Sequence, residues 1–223
     1  IPYIPRSNVI SCLMDIQANP VNAKGEEVTP VVWECNCLEE VCGACTMVIN
    51  GKVHQSCSAL VDQLEKPISL EPMSKFPIVR DLAVDRARMF GALKIVQAWV
   101  TADGYHDLGP GERESTSHQE VAYKLSECMT CGCCVEACPQ YSLSNNFLGA
   151  AAISQSRLFN MHPTAKNIAD ERLDTLMQKG GIADCGNAQN CVEACPKSIP
   201  LTESIAEMGR QVSGKFWRNI FQA

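Results

Sequence analysis

Cysteine thiolates are the groups in this sequence whose spacing points most directly to chemistry. The chain of 223 residues contains 14 cysteines, and eleven of them form three spaced sets. These sets are Cys37-x4-Cys42-x2-Cys45-x11-Cys57, Cys128-x2-Cys131-x2-Cys134-x3-Cys138-Pro139 and Cys185-x5-Cys191-x3-Cys195-Pro196. Such spacings are typical of the ligands of iron–sulfur clusters.

Two other uses of cysteine fit this pattern less well. Disulfide frameworks occur mostly in small secreted proteins, whereas this chain has a mass of 24.3 kDa, helical segments and no visible export signal. Structural zinc sites usually combine C-x2-C pairs that are separated by a loop. Here four ligand-spaced cysteines lie within one short run that ends at Pro139. The pattern therefore favours iron–sulfur clusters over disulfides and zinc.

The first set predicts a [2Fe–2S] cluster. Three of its cysteines lie on one loop, and the fourth follows after a gap, as in plant-type ferredoxins. The predicted ligands are Cys37, Cys42, Cys45 and Cys57. Gly43 lies inside the loop, where the absence of a Cβ atom lets backbone N–H groups approach the cluster. We expect those N–H groups to help set the reduction potential.

The second and third sets form an internal repeat. Cys128, Cys131, Cys134, Cys138 and Pro139 align at identical spacing with Cys185, Ala188, Cys191, Cys195 and Pro196. In two-cluster ferredoxins the fourth cysteine of each run binds the other cluster, and the proline after it turns the chain out of the local helix. This crossing rule predicts a [4Fe–4S] cluster bound by Cys128, Cys131, Cys134 and Cys195.

The other cluster of the repeat is one ligand short. The crossing rule assigns to it Cys138, Cys185 and Cys191, and its fourth ligand would come from position 188. Ala188 stands there, and alanine cannot bind iron. We therefore expect a [3Fe–4S] cluster, which lacks the iron that a fourth thiolate would hold.

Three cysteines remain outside these sets. Cys12 lies among apolar residues of a predicted helix and is expected to be a small core residue. Cys35 could compete with Cys37 as a ligand, but only Cys37 has the x4 spacing to Cys42. Cys133 breaks the x2 spacing and is interpreted as a residue that packs beside the second run. The four histidines show no metal-binding spacing.

Composition argues against several function classes. The net charge of −6 and the sequence pI of 5.3 argue against nucleic acid as a partner. No apolar run approaches the roughly 20 residues that cross a bilayer. The sequence contains no P-loop, dinucleotide fingerprint or nucleophile elbow. We therefore expect no site for an organic substrate in this chain alone.

The N-terminal part is predicted to mix helix and strand. Ser7 is expected to cap a helix that ends before Pro20. Strands are predicted at residues 31–33, 46–49, 52–55 and 68–72. The Asn50-Gly51 pair predicts a primed turn in a hairpin.

From residue 86 onward the predicted elements are helical. An apolar stripe from Met89 to Val100 predicts a core helix. Further helices are predicted at 120–126, at 167–179, where Gly180-Gly181 ends the helix, and after a cap at Thr202.

Together these motifs resemble the iron–sulfur subunit of succinate dehydrogenase and fumarate reductase. Further matching segments are residues 76–85, 147–150, 157–159 and 195–197. Residues 33–42 are most similar to the versions from Gram-positive bacteria. The resemblance implies an α+β fold, with a β-grasp plant-type ferredoxin domain over residues 1–85 and an all-α bacterial-type ferredoxin domain over residues 86–223.

The resemblance also implies a role as an electron-transfer subunit of an enzyme, a membrane-bound succinate:quinone oxidoreductase of the citric acid cycle. Electrons would pass from the FAD of a flavoprotein subunit through [2Fe–2S], [4Fe–4S] and [3Fe–4S] to haem b and menaquinone. The chain would lie peripherally on the cytoplasmic face of the bacterial cell membrane, held by a cytochrome b anchor subunit.

The sequence departs from the family in two respects. It begins at what resembles the end of the second β-grasp strand, so we expect the opening hairpin to be absent. Ubiquinone-binding members carry histidine and tryptophan where this chain has Gly186 and Leu143, so menaquinone fits better. Two alternatives stay open. One is the same subunit of a fumarate reductase. The other is a soluble multi-cluster ferredoxin, against which the apolar tail at 216–221 counts.

Overall fold

The computed structural model describes residues 4–100 and 112–221. Its strands are β1 (Thr46–Ile49), β2 (Lys52–Gln55), β3 (Leu70–Glu71), β4 (Ile78–Arg80) and β5 (Ala83–Val84). Its α-helices are α1 (Val9–Ala18), α2 (Ala87–Ile95), α3 (Thr116–Ser126), α4 (Cys133–Glu136), α5 (Gly149–Met161), α6 (Ala169–Met177), α7 (Asn190–Glu193) and α8 (Leu201–Phe221). Short 3₁₀ helices lie at Val61–Gln63, Ala165–Ile168 and Ile182–Asp184. The mixed α+β class is as predicted.

The predicted hairpin is present and forms the centre of a small sheet. β1 pairs antiparallel with β2 on one side and with β3 on the other. Asn50 and Gly51 both have positive φ, at 49° and 76°, as a primed two-residue turn requires. The turn chemistry fixes the register, so Cys45, directly before β1, and Cys57, two residues after β2, both lie at the open end of the hairpin.

Helix α1 is capped by Asn8, so the prediction of Ser7 as the cap was wrong. The Asn8 Oδ1 atom accepts a hydrogen bond from the Ser11 N–H at 2.9 Å. Ser7 precedes the cap, and its carbonyl accepts a hydrogen bond from the N–H of Val61. The Asn8 side chain also donates to the carbonyl of Cys57 at 2.8 Å, which ties the helix start to the first cysteine set.

The strand predicted at residues 31–33 is absent, because this segment has no regular secondary structure. The N–H of Val32 donates to the Asp81 carboxylate at 2.8 Å, and the Val32 carbonyl accepts from the N–H of Leu82 at 3.0 Å. Its hydrogen bonds therefore go to the turn between β4 and β5 instead of to a strand partner.

Two apolar cores organise the chain. The smaller one joins α1 to the sheet and contains Val9, Ile10, Leu13, Cys45, Met47, Ile49 and Cys57. The larger one is built around α5 and includes Met73, Phe76 and Val84 from the segment that precedes α2. The sheet end of the chain therefore packs into the helical core, and the division after residue 85 stays a prediction.

The predicted helices correspond to α2, α3, α6 and α8, with three differences. Helix α2 ends at Ile95, so Val96 and Val100 of the predicted apolar stripe lie outside it, and Val100 is 43% exposed. Helix α8 begins at Leu201, so Thr202 is inside the helix and is not its cap. Helix α5 was not predicted from periodicity. Seven of its residues, Gly149 to Ser154 and Ser156, are buried, so it lacks the polar face that makes a helix recognisable in a sequence. None of the helices within the described ranges is long and apolar enough to cross a membrane.

Replacing Asn8 with alanine removes the α1 cap and the bond to Cys57. We expect this change to lower the free energy of unfolding by about 1–2 kcal/mol, which corresponds to a melting temperature lower by about 4 °C. Ser115→Ala is the control, because Ser115 caps α3 through one hydrogen bond, to the N–H of His118. Equal thermal shifts in the two variants would contradict the structural role of the Asn8–Cys57 bond.

Candidate iron–sulfur sites

The first candidate site is a loop that turns its backbone N–H groups toward one sulfur. Leu38, Glu40 and Gly43 all have positive φ, between 58° and 70°. As a result the Cys37 Sγ atom accepts hydrogen bonds from the N–H groups of Glu39, Val41 and Cys42, at 3.5, 3.3 and 3.3 Å. Successive N–H groups arranged in this way form an anion-binding concavity, which suits a cluster-bound thiolate.

The electrostatics of this loop differ between its sulfurs. The N–H of Glu39, followed by that of Val41, lowers the pKa of the Cys37 thiol to about 7. Burial and a hydrogen bond with Cys45 raise the pKa of the Cys57 thiol to about 11. Because iron binds thiolates, iron binding must displace the Cys57 proton, whereas Cys37 is partly ionised at neutral pH.

Cys35 also lies close to this site. Burial raises the pKa of its thiol, and the charges of Cys42, Cys57 and Cys37 raise it further. The described contacts give Cys35 no N–H donors of the kind that surround Cys37. The preference for Cys37 as the ligand stays a prediction, and these N–H bonds support it.

The second candidate site draws cysteines from both halves of the repeat. One cleft is lined by Cys128, Cys131, Cys134 and Cys195 together with Pro196 and Lys197. Burial raises the pKa of the Cys128 and Cys134 thiols. A hydrogen bond from Cys133 is the main cause that lowers the pKa of the Cys131 thiol to about 7. These are the four cysteines that the crossing rule assigns to one cluster.

The third candidate site is a neighbouring cleft lined by Cys138, Cys185 and Cys191, with Ala188 and Pro139 in the same lining. Cys138 again comes from the first run, and the other two cysteines come from the second. The linings of both clefts contain no carboxylate. In these two linings the cysteine thiols are therefore the side chains that can bind iron as anions, which fits iron–sulfur clusters held by cysteine thiolates.

The repeat is visible in the backbone as well as in the cysteines. Thr130 and Asn187, which are equivalent in the repeat, both have φ of 51°. Gly132 and Gln189 are also equivalent, with φ of 93° and 65°, and each precedes a short helix of four residues, α4 or α7. Ala188 therefore stands in a loop with the backbone form of the cluster loop around Cys131, and only the sulfur is missing.

The second site adjoins both of the others. A Cβ atom added to Gly43 would lie 2.7 Å from both Cα and Cβ of Cys131, so the first and second cysteine loops touch backbone to backbone. On the other side, the charge of Cys191 from the third site contributes to the raised pKa of Cys134. The three sites therefore follow one another in the order first, second, third.

The remaining cysteines differ in their surroundings. Cys133 is 1% exposed, and its Sγ atom lies 3.3 Å from Nε2 of Gln55, consistent with its interpretation as a packing residue. Cys12 is half-buried, and its sulfur lies 4.0 Å from the Ser7 hydroxyl. The prediction that Cys12 is a core residue was therefore wrong. Among residues 4–100 and 112–221, no three His, Cys, Asp or Glu side chains converge as they would around a single metal ion.

Two polar residues near the first site had no sequence signal. Gln55 is 2% exposed, and its amide contacts the Cys45 and Cys133 sulfurs as well as the Thr46 hydroxyl. Arg86 donates to the carbonyls of Gly43 and Ala44 in the first loop. Neither residue belongs to a ligand pattern, and their roles follow only from the way the loops meet.

Comparisons with known proteins agree with this arrangement. Residues 1–91 match a 2Fe-2S iron-sulfur cluster binding domain, and residues 124–199 match a 4Fe-4S dicluster domain. The succinate dehydrogenase iron-sulfur subunit of Bacillus subtilis is 60% identical over 221 residues, which cover 99% of this chain and 87% of the relative. The chain belongs to the succinate dehydrogenase iron–sulfur subunit family.

A more distant sequence relative and one solved structure are also similar to this chain. The fumarate reductase iron-sulfur subunit of Wolinella succinogenes is 31% identical over 79% of this chain and 75% of its own length. A chain of the Mycobacterium smegmatis Sdh1 complex in the apo form superposes with a TM-score of 0.74 at 21% identity, covering 96% of this chain and 88% of that one. This chain therefore shares its fold with that chain over nearly its whole length.

Replacing Gly43 with alanine tests the contact between the first two cysteine loops. The new Cβ would meet Cys131 in addition to the strain of about 1–2 kcal/mol that a positive φ imposes on alanine. We expect the variant to lose most of its bound iron and to melt at a lower temperature.

The matched control is Gly25→Ala, because Gly25 has φ of 83° and open space around it. That variant carries the same kind of backbone strain without the clash, and it should retain its iron. Full iron content in the Gly43 variant would show that the two loops do not touch as described.

Proposed function

We propose that this chain is the electron-transfer subunit of a membrane-bound succinate:quinone oxidoreductase. A flavoprotein subunit with FAD oxidises succinate, and a cytochrome b anchor with haem b delivers the electrons to menaquinone. The chain itself has no organic-substrate site and carries electrons between the two partners. It lies peripherally on the cytoplasmic face of the membrane.

One observation carries this proposal above the others. This chain is 60% identical to the Bacillus subtilis subunit over 99% of its length. Its three cysteine sets lie at adjoining positions. Adjoining sites are what a relay of single electrons needs. The order of the sites agrees with a path that enters at the sheet end of the chain and leaves near the third cleft.

The residues that would hold the clusters are those of the three sites. We assign [2Fe–2S] to Cys37, Cys42, Cys45 and Cys57, [4Fe–4S] to Cys128, Cys131, Cys134 and Cys195, and [3Fe–4S] to Cys138, Cys185 and Cys191. When bound, the clusters supply one-electron redox chemistry. The protein contributes the thiolates, the N–H donors around Cys37 and the partial burial of the second site.

The end of helix α8 offers a surface suited to an apolar partner. Phe216, Trp217, Ile220 and Phe221 are 48%, 56%, 49% and 81% exposed. Exposed aromatic and aliphatic side chains in one cluster are typical of an interface. We propose that this end of α8 contacts the membrane-anchor subunit, which also argues against a freely diffusing ferredoxin.

A fumarate reductase is the second candidate, because relatives with that name share 28–35% identity with this chain. The cysteine pattern alone does not set the direction of the reaction. The much higher identity to the Bacillus subtilis subunit favours succinate oxidation.

The direct test uses membranes that contain the intact complex. Addition of succinate should reduce the iron–sulfur centres, seen by EPR at low temperature, and a flavoprotein and a haem protein should co-purify with this chain. Rates with succinate and a quinone acceptor should exceed rates of fumarate reduction by reduced quinone. Purification of this chain alone with full cluster content and no succinate-dependent reduction would refute the proposal.

Replacing Ala188 with cysteine tests the assignment of the third site. Because the loop already has the backbone form of the Cys131 loop, the new thiol should bind a fourth iron and turn [3Fe–4S] into [4Fe–4S]. Iron analysis should rise from about nine to about ten atoms per chain. The EPR signal of the oxidised trinuclear centre should disappear. A wild-type value of about ten, or survival of that signal in the variant, would contradict the ligand assignment.

A further inference from the structure

Arg86 lies where the first two cysteine loops meet. It precedes helix α2, and its side chain is 12% exposed. The Nη1 atom donates to the Gly43 carbonyl at 2.6 Å, and the Nη2 atom donates to the Ala44 carbonyl. A guanidinium that spans two successive carbonyls holds both peptides in one orientation, because its donors form a rigid fork.

The peptide that Arg86 holds is the one that serves a predicted ligand. The Gly43 carbonyl and the Ala44 N–H belong to the same peptide group, and the Ala44 N–H donates to the Cys42 Sγ atom at 3.4 Å. The Thr46 hydroxyl donates to the same Gly43 carbonyl at 2.9 Å. Donors at the carbonyl polarise the peptide and strengthen the N–H bond on its other side.

The charge of Arg86 is only weakly compensated. Its nearest carboxylate, that of Glu34, lies 3.5 Å from Nη2, and the Glu34 side chain is 51% exposed. The Nε atom is buried and has no hydrogen-bond partner among the described residues. Arg86 also interacts electrostatically with Cys131 in the second site, as expected from the contact of Gly43 with Cys131.

We propose that Arg86 is a positioning residue that raises the reduction potentials of the first two centres, by orienting the Gly43–Ala44 peptide toward Cys42 and by placing a fixed positive charge between the two loops. Reduction adds negative charge to a cluster, and both a nearby cation and an N–H···S bond stabilise that charge. This inference rests on the proposed function, since it takes the first two sites to hold clusters.

The test is a redox titration of the intact complex in membranes, followed by EPR, for wild type, Arg86→Gln and Arg86→Lys. The glutamine variant should lower the midpoint potentials of [2Fe–2S] and [4Fe–4S] and leave that of [3Fe–4S] unchanged. The lysine variant keeps the charge but cannot reach both carbonyls with a fixed fork. It should therefore lower the [2Fe–2S] potential by less and leave the [4Fe–4S] potential close to that of wild type.

Arg80→Gln is the matched control, because it removes the same charge from a side chain that is 54% exposed and paired with Asp81. It should shift no midpoint, since exposed charges are screened by water and salt. Equal shifts in the Arg80 and Arg86 variants, or an unchanged [2Fe–2S] potential in both Arg86 variants, would overturn the inference.

The outcomes also separate this inference from the proposed function. If Arg86→Gln fails to assemble, the lysine variant decides, because an unchanged [2Fe–2S] midpoint there contradicts the clamp. If the wild-type complex itself lacks iron and EPR signals, the proposed function fails. A wild type with all three signals and variants without shifts would refute only the role of Arg86.

Discussion

Each half of the cysteine repeat contributes one cysteine to the cleft of the other half, and the helical part of this protein depends on this constraint. Cys195 joins the cleft of the first run, and Cys138 joins the cleft of the second. Neither site is complete until both halves have folded against each other. The short helices α4 and α7 therefore pack together, and α5 and α8 enclose them. Cluster binding and folding are coupled in such an arrangement, because the unfolded chain has no preformed site.

Direct packing contacts also connect the sheet end of the chain to the helical part. The larger core extends into the N-terminal region, where it includes Met73, Phe76 and Val84. The first cysteine loop contacts the second where Gly43 lies against Cys131. Gln55 and Arg86 occupy this junction with a buried and a partly buried hydrogen bond. A close junction is what a relay requires, since the protein's contribution to electron transfer is to fix the positions and surroundings of its centres.

The division of the cysteines into three sets could be predicted from the sequence, because the spacing of ligands along the chain is local information. The hairpin at Asn50-Gly51 was equally accessible, since a primed turn demands those residue types. The segment around Val32 was not, because its hydrogen-bond partners lie about fifty residues away at Asp81 and Leu82. Helix α5 was not predicted, because a helix that is buried on most sides shows no amphipathic period in its sequence. Arg86 belongs to no ligand motif in the sequence, and its proposed role depends on the tertiary contact between two loops.

The crossing of Cys138 and Cys195 is tested most directly by an iron-edge anomalous difference map of the complex, prepared without oxygen. Four iron peaks should be framed by the sulfurs of Cys128, Cys131, Cys134 and Cys195, and three by those of Cys138, Cys185 and Cys191, with none facing Ala188. A map in which Cys195 shares a cluster with Cys185 and Cys191, or in which a fourth iron lies beside Ala188, would contradict the arrangement described here.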